Sequence, residues 1–245
     1  MDSRTARFRV PLATDLTVAS LLLLLTAVAL GNLFQPAPGF YPALTLLGLS
    51  AGWVIHHFWP GNTDFGWANR ITLARGVLVI ALVSLAPFLG VASEASSQGN
   101  WLWLYVSLCL VALILDGVDG KVARATGTET DFGARFDMEL DALFILGLCL
   151  AAISLDRAGA WVLALGLMRY GFMVAGAVWP LLNRPLPESF RRKTVCVWQL
   201  VTLMVALLPP TPDALAFWSL VLALALLCYS FGTDIRWLYQ TRSQS

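Results

Sequence analysis

The chain has 245 residues, of which 58% are hydrophobic and only 13% charged, and its mean hydropathy is +0.72. A soluble domain carries about 25% charged residues, so this composition excludes a soluble globular protein and indicates a polytopic membrane protein. The net charge of +1 excludes a general field for nucleic acid, and basic residues matter by position rather than by sum.

Apolar stretches of about 20 residues predict eight spans near 15–34, 41–59, 70–92, 101–118, 138–156, 159–182, 195–209 and 214–238. Arg4, Arg7 and Arg9 ahead of the first span give it the outline of a secretory signal, but the apolar run continues through Leu33 and Phe34 and a second span follows closely. A retained anchor fits better. The second span ends in His56-His57, which has no acid or Cys neighbour at ligand spacing. Turn-rich segments separate the spans: Gln35 to Gly39, Pro60 to Asp64, Ser93 to Asn100, Asn183 to Pro187, and Pro209 to Asp213.

With the N-terminus inside, Arg70, Arg75, Lys121, Arg124, Arg135, Arg184, Arg191, Arg192, Lys193, Arg236 and Arg242 gather on one side and only Arg157 lies opposite. The positive-inside rule makes that side cytoplasmic. Most of the tryptophans lie near predicted helix ends, as interfacial anchors do. Cys109, Cys149, Cys196 and Cys228 lack metal-ligand spacing and read as small buried hydrophobes.

The fourth and fifth spans flank the informative window, Asp116 to Asp141, which reads D-G-V-D-G-K-V-A-R-A-T-G-T-E-T-D-F-G-A-R-F-D-M-E-L-D. Taking a carboxylate out of water costs several kcal/mol, so acids beside apolar runs need a strong compensating charge. On one helix Asp116, Asp119, Gly120, Ala123 and Arg124 share a face, and on the next Gly133, Asp137 and Asp141 recur every fourth residue, with Glu139 turned away. Four oxygen donors without His or Cys favour hard cations, Mg²⁺ or Mn²⁺, and four carboxylates balance two divalent ions. Two such ions can hold the attacking and leaving oxygens of a phosphoryl displacement. Gly120 and Ala123 leave room for a diphosphate, and Arg124 can neutralise its oxygens.

The pattern D-x2-D-G-x2-A-R-x8-G-x3-D-x3-D resembles the signature of the CDP-alcohol phosphatidyltransferase family at every defined position. By family size the resemblance spans about 65 to 242. It implies an all-α, six-helix catalytic core over 61–245, with residues 1–60 as a two-helix transmembrane extension. It also implies that Asp116, Asp119, Asp137 and Asp141 bind two divalent metals, with Asp141 as general base. Asp116, Gly117, Asp119, Gly120, Ala123 and Arg124 would contact CDP, joined by Asn69, Thr72 and Arg75 of an N-x2-T-x2-R segment. The implied reaction moves a phosphatidyl group from CDP-diacylglycerol to the hydroxyl of a small alcohol and releases CMP. The expected setting is a bacterial inner membrane, as a homodimer, with the site open to the cytoplasm and to lipid.

Arg169, inside the sixth span, is costly there without a partner or a wet cavity. Together with Arg191, Arg192 and Lys193, which cluster before the seventh span, it resembles the acceptor-phosphate residues of members that use phosphorylated acceptors. The first choice of acceptor is therefore glycerol 3-phosphate, followed by inositol phosphate or an unphosphorylated alcohol. The chain departs from the glycerol-phosphate pattern in two places: Tyr170 follows Arg169 where those members often have an acid, and four residues rather than two separate Lys193-Thr194 from Gln199. A prenyltransferase of the UbiA type fits less well, because its aspartate motifs lie far apart in the chain. A divalent-metal transporter would need a second acidic cluster or an internal repeat, and neither is found.

Overall fold

The computed structural model describes residues 12–60, 65–91, 100–126, 130–184, 186, 187 and 189–242. The side chains of Asp119, residues 121–126, Asn183 and Arg242 lie outside this description. The described residues form eight α-helices and no strand: α1 (Leu12–Phe34), α2 (Phe40–Phe58), α3 (Gly66–Leu85), α4 (Asn100–Thr126), α5 (Asp131–Ser154), α6 (Leu163–Val178), α7 (Phe190–Leu207) and α8 (Asp213–Arg242). The eight predicted spans correspond to these helices in order.

Proline sets several of the ends, because it removes a backbone donor and clashes with the preceding turn. Pro36 and Pro38 separate α1 from α2, Pro60 follows α2, and Pro180 starts a short 3-10 turn (Pro180–Asn183) after α6. The predicted 159–182 span is thereby broken into a 3-10 turn at Ala160–Val162, α6, and a second such turn. The seventh span differs in another way. α7 starts at Phe190, just after Pro187, so Arg191, Arg192 and Lys193 form its first turn rather than a loop ahead of it.

Among the described residues, five stretches are long and apolar enough to cross a membrane: Leu12–Phe34, Gly66–Val91, Asn100–Val118, Ala160–Val178 and Asp213–Thr241. Two of the other helices are depleted of apolar residues by charge. α5 carries Asp131, Asp137, Glu139 and Asp141 in its first half, and α7 opens on its three cations. In α2, Thr45, Ser50 and the terminal His56-His57 lower the hydropathy. Exposed Leu, Val, Trp and Tyr side chains cover α1 and α8, as expected of surfaces facing lipid in an integral membrane protein.

α3 is the hub. Its apolar window is 72% buried, against 17% for α1, and it packs against α1, α2, α4 and α5. Its approach to α5 depends on Gly147, where a Cβ would stand 2.5 Å from Val83 Cγ2. The N-terminal pair belongs to the same core: Ala27, Leu30, Phe34, Phe40 and Leu44 join one apolar cluster with Val79, Leu82 and Leu85 of α3. An ion pair also ties it to the bundle, since Arg70 Nε donates to Asp15 Oδ1 at 2.8 Å.

Candidate active site

Three helices bring carboxylates and one guanidinium together. Asp116 comes from the last third of α4, and Asp137 and Asp141 sit one turn apart on α5. One oxygen from each of the three lies within 4.8 Å of the others. Arg75 of α3 enters from below at only 2% exposure. Its Nη1 donates to Asp116 Oδ1 and lies 2.9 Å from Asp137 Oδ1, and its Nη2 donates to Asp141 Oδ1 at 2.8 Å.

A guanidinium keeps its proton under all ordinary conditions. Among the described side chains, three carboxylates face one Arg, an excess of two negative charges that one divalent cation would balance. The donors are all carboxylate oxygens, half-buried and mutually close, as a hard cation requires. The predicted metal ligands Asp116, Asp137 and Asp141 therefore converge. The side chains of the fourth, Asp119, and of Ala123 and Arg124 lie outside the described residues.

The Asn69 to Arg75 segment shows how the sequence builds this ring. Asn69 Nδ2 donates to the Phe65 carbonyl at 2.7 Å and Thr72 Oγ1 to the Ala68 carbonyl at 3.1 Å, both buried on α3. Asn69 Oδ1 presses against the start of α5, where a Cβ on Gly133 would come within 2.5 Å of it. Thr130 caps that start, its Oγ1 accepting from Gly133 N at 2.9 Å. Asn69 and Gly133 thus set how closely α3 and α5 approach, and hence whether Arg75 reaches Asp137 and Asp141. Gly117 faces open space, since a Cβ there would meet nothing within 4 Å. Gly120 lies one turn beyond Asp116 on α4.

Several contacts were not legible as site features. Cys196 of α7, expected as core filler, places its Sγ 3.9 Å from Asp141 Oδ2. Arg75, expected near CDP, is bonded within the acid ring itself.

The expected acceptor arginines lie elsewhere and already have partners. Arg169 Nη2 donates to Glu139 Oε1 at 2.5 Å. Arg191 Nη2 and Arg192 Nη1 reach the same oxygen of Asp234 on α8, at 2.5 Å and 3.3 Å. Arg191 also donates to the Ser230 carbonyl and Arg192 to the Pro187 carbonyl. A cavity of about 300 Å³ opens beside them, lined by Leu186, Pro187, Thr233 and Trp237 as well as the ion-paired groups. Lys193 is exposed. In the sequence Asp234 is a lone acid near the end of a long apolar helix, with no periodic partner to mark it.

Comparison with known proteins gives two positive findings. The family model described as CDP-alcohol phosphatidyltransferase matches residues 65–229, starting at the predicted residue and ending within α8. Ethanolaminephosphotransferase 1 of Homo sapiens is 36% identical over 102 residues, covering 37% of this chain and 25% of that protein. Ethanolaminephosphotransferase 1 of Mus musculus is 34% identical over 114 residues, covering 42% of this chain and 28% of that protein. The chain thus spans about a quarter of the length of these curated relatives. No solved structure matches it.

Proposed function

Because the chain belongs to the CDP-alcohol phosphatidyltransferase family, we propose that it transfers a phospho-alcohol group from a CDP-linked donor to a hydroxyl and releases CMP, with a diacylglycerol-type lipid as one of the two substrates. The observation that carries this reading is the acid ring: three carboxylate oxygens within 4.8 Å of one another beside apolar helices, around a single buried Arg. Divalent cations held by Asp116, Asp137, Asp141 and Asp119 would supply charge neutralisation for the diphosphate and the departing phosphate.

The chain's own residues do the rest. Arg75 fixes Oδ1 of Asp141, and the second oxygen, Oδ2, faces Cys196 and takes the proton of the attacking hydroxyl. That hydroxyl oxygen forms a new bond to phosphorus as the bond from phosphorus to CMP breaks. Gly117, with open space above it, gives the nucleotide close access to the α4 backbone. The basic residues gathered near this face of the bundle support a cytoplasmic orientation for it.

Among substrate pairs, a CDP-linked small alcohol with a lipid hydroxyl acceptor is favoured. Arg169, Arg191 and Arg192 each already contact a carboxylate, which leaves them less available to an acceptor phosphate. The relatives named for ethanolamine transfer point the same way. The test is CMP release and lipid product formation by the purified protein with Mg²⁺ or Mn²⁺. Product from CDP-ethanolamine and diacylglycerol supports this pairing. Product only from CDP-diacylglycerol and glycerol 3-phosphate would restore the phosphorylated acceptor.

A further inference from the structure

Gln199 is the one fully enclosed amide among the described residues whose donor has no acceptor: the residue is 3% exposed and its Nε2 makes no hydrogen bond. Such groups are rare, because a buried donor left unpaired has lost water and gained nothing. Its place on α7 explains what it could be for. Gln199 lies three residues beyond Cys196, so the two side chains share a face one turn apart, and Cys196 borders Asp141. α7 runs from its charged first turn into Leu200, Leu203 and Leu207, all at or below 2% exposure. The amide therefore sits on the apolar side of the acid ring. The ring's charge suits the diphosphate and its cations, whereas a neutral donor on the apolar side suits an uncharged oxygen.

We propose that Gln199 is a specificity-determining residue that donates from Nε2 to an ester carbonyl oxygen on the glycerol backbone of the lipid substrate. This rests on the reading that a lipid occupies the site, and holds whether the lipid is donor or acceptor. The amide is left unpaired in the empty bundle and is satisfied when the lipid arrives. Binding of a diacyl lipid is then favoured over a lipid of the same shape that lacks the carbonyl.

The experiment measures binding of diacylglycerol and of its dialkyl ether analogue to the full chain in nanodiscs, for the wild type, Gln199→Leu and Gln199→Met. The wild type should bind the diacyl form roughly three- to tenfold more tightly than the ether. Both variants should bind the two lipids alike, at the ether level, with CDP affinity unchanged. Without added lipid both should melt at or above the wild-type temperature, since the unpaired donor is gone. A wild type without ester preference, variants that keep it, or variants that lose both lipids equally would each overturn the assignment. A wild type that releases no CMP with any substrate pair would refute the proposed reaction, while the ester-to-ether comparison would still decide the role of Gln199.

Discussion

Around Arg75 one guanidinium faces three carboxylates, whereas around Asp234 one carboxylate faces two guanidiniums. The first cluster is left with two negative charges and the second with one positive charge. Both are partly enclosed, yet they differ in what completes them. The second satisfies its surplus donors locally, through the carbonyls of Ser230 and Pro187. The first, among the described side chains, has more carboxylates than cations, an excess that a divalent cation would balance. Charge imbalance alone therefore does not mark a ligand site; what matters is whether neighbouring groups absorb it, as the Ser230 and Pro187 carbonyls do in the second cluster.

The largest expected effect comes from removing the remainder. Asp116→Asn, Asp137→Asn or Asp141→Asn should each lower turnover by about 10²- to 10⁴-fold with the thermal melt retained. Asp141→Asn should keep binding of the CDP-linked donor, and near-normal turnover in that variant would remove its assignment as base. Next is Arg75→Met, which leaves three facing carboxylates. Breaking a buried ion pair costs about 3–5 kcal/mol, so the variant should melt well below wild type in chelator and recover with Mn²⁺. Equal melts with and without metal would show that Arg75 is no counter-charge.

Metal titration sharpens the comparison further. Mn²⁺ monitored by paramagnetic resonance should fill one site alone and a second once CDP adds its phosphates, because Arg75 has already taken one unit of the ring's charge. Two sites filling without nucleotide would contradict this. On the opposite cluster, Asp234→Asn should change turnover by less than about fivefold. It should make glycerol 3-phosphate a stronger inhibitor by freeing Arg191 and Arg192; no change in inhibition would show that these cations cannot reach a phosphate. The smallest effect is expected from Asp15→Asn, which should destabilise by about 1 kcal/mol or less and leave the KM for the nucleotide substrate nearly unchanged.

The acid ring was readable in the sequence because Asp137 and Asp141 repeat at helical spacing and Asp116 begins a matching stripe on the preceding helix. Local periodicity carries that information. The ring's cation was not readable as such: Arg75 lies 41 residues from Asp116 and 66 from Asp141, and only packing of α3 against α4 and α5 shows that it joins them. The same holds for Asp234 and Cys196, which have no periodic partners and acquire meaning from the helix opposite. Helix existence followed from hydropathy, but the start of α7 did not. Its first turn is charged, and an apolar-run criterion begins only where the cations stop.

The burial of Arg75 also bears on how the protein is made. α3 emerges from the ribosome before α4 and α5, so a lone cation enters the bilayer ahead of every acid that will neutralise it. α5, with Asp131, Asp137, Glu139 and Asp141 all in its first half, is too charged to insert on hydropathy alone. Each helix therefore supplies what the other lacks at the translocon: Arg75 gives α4 and α5 a reason to stay, and their arrival ends the cost of having inserted it first.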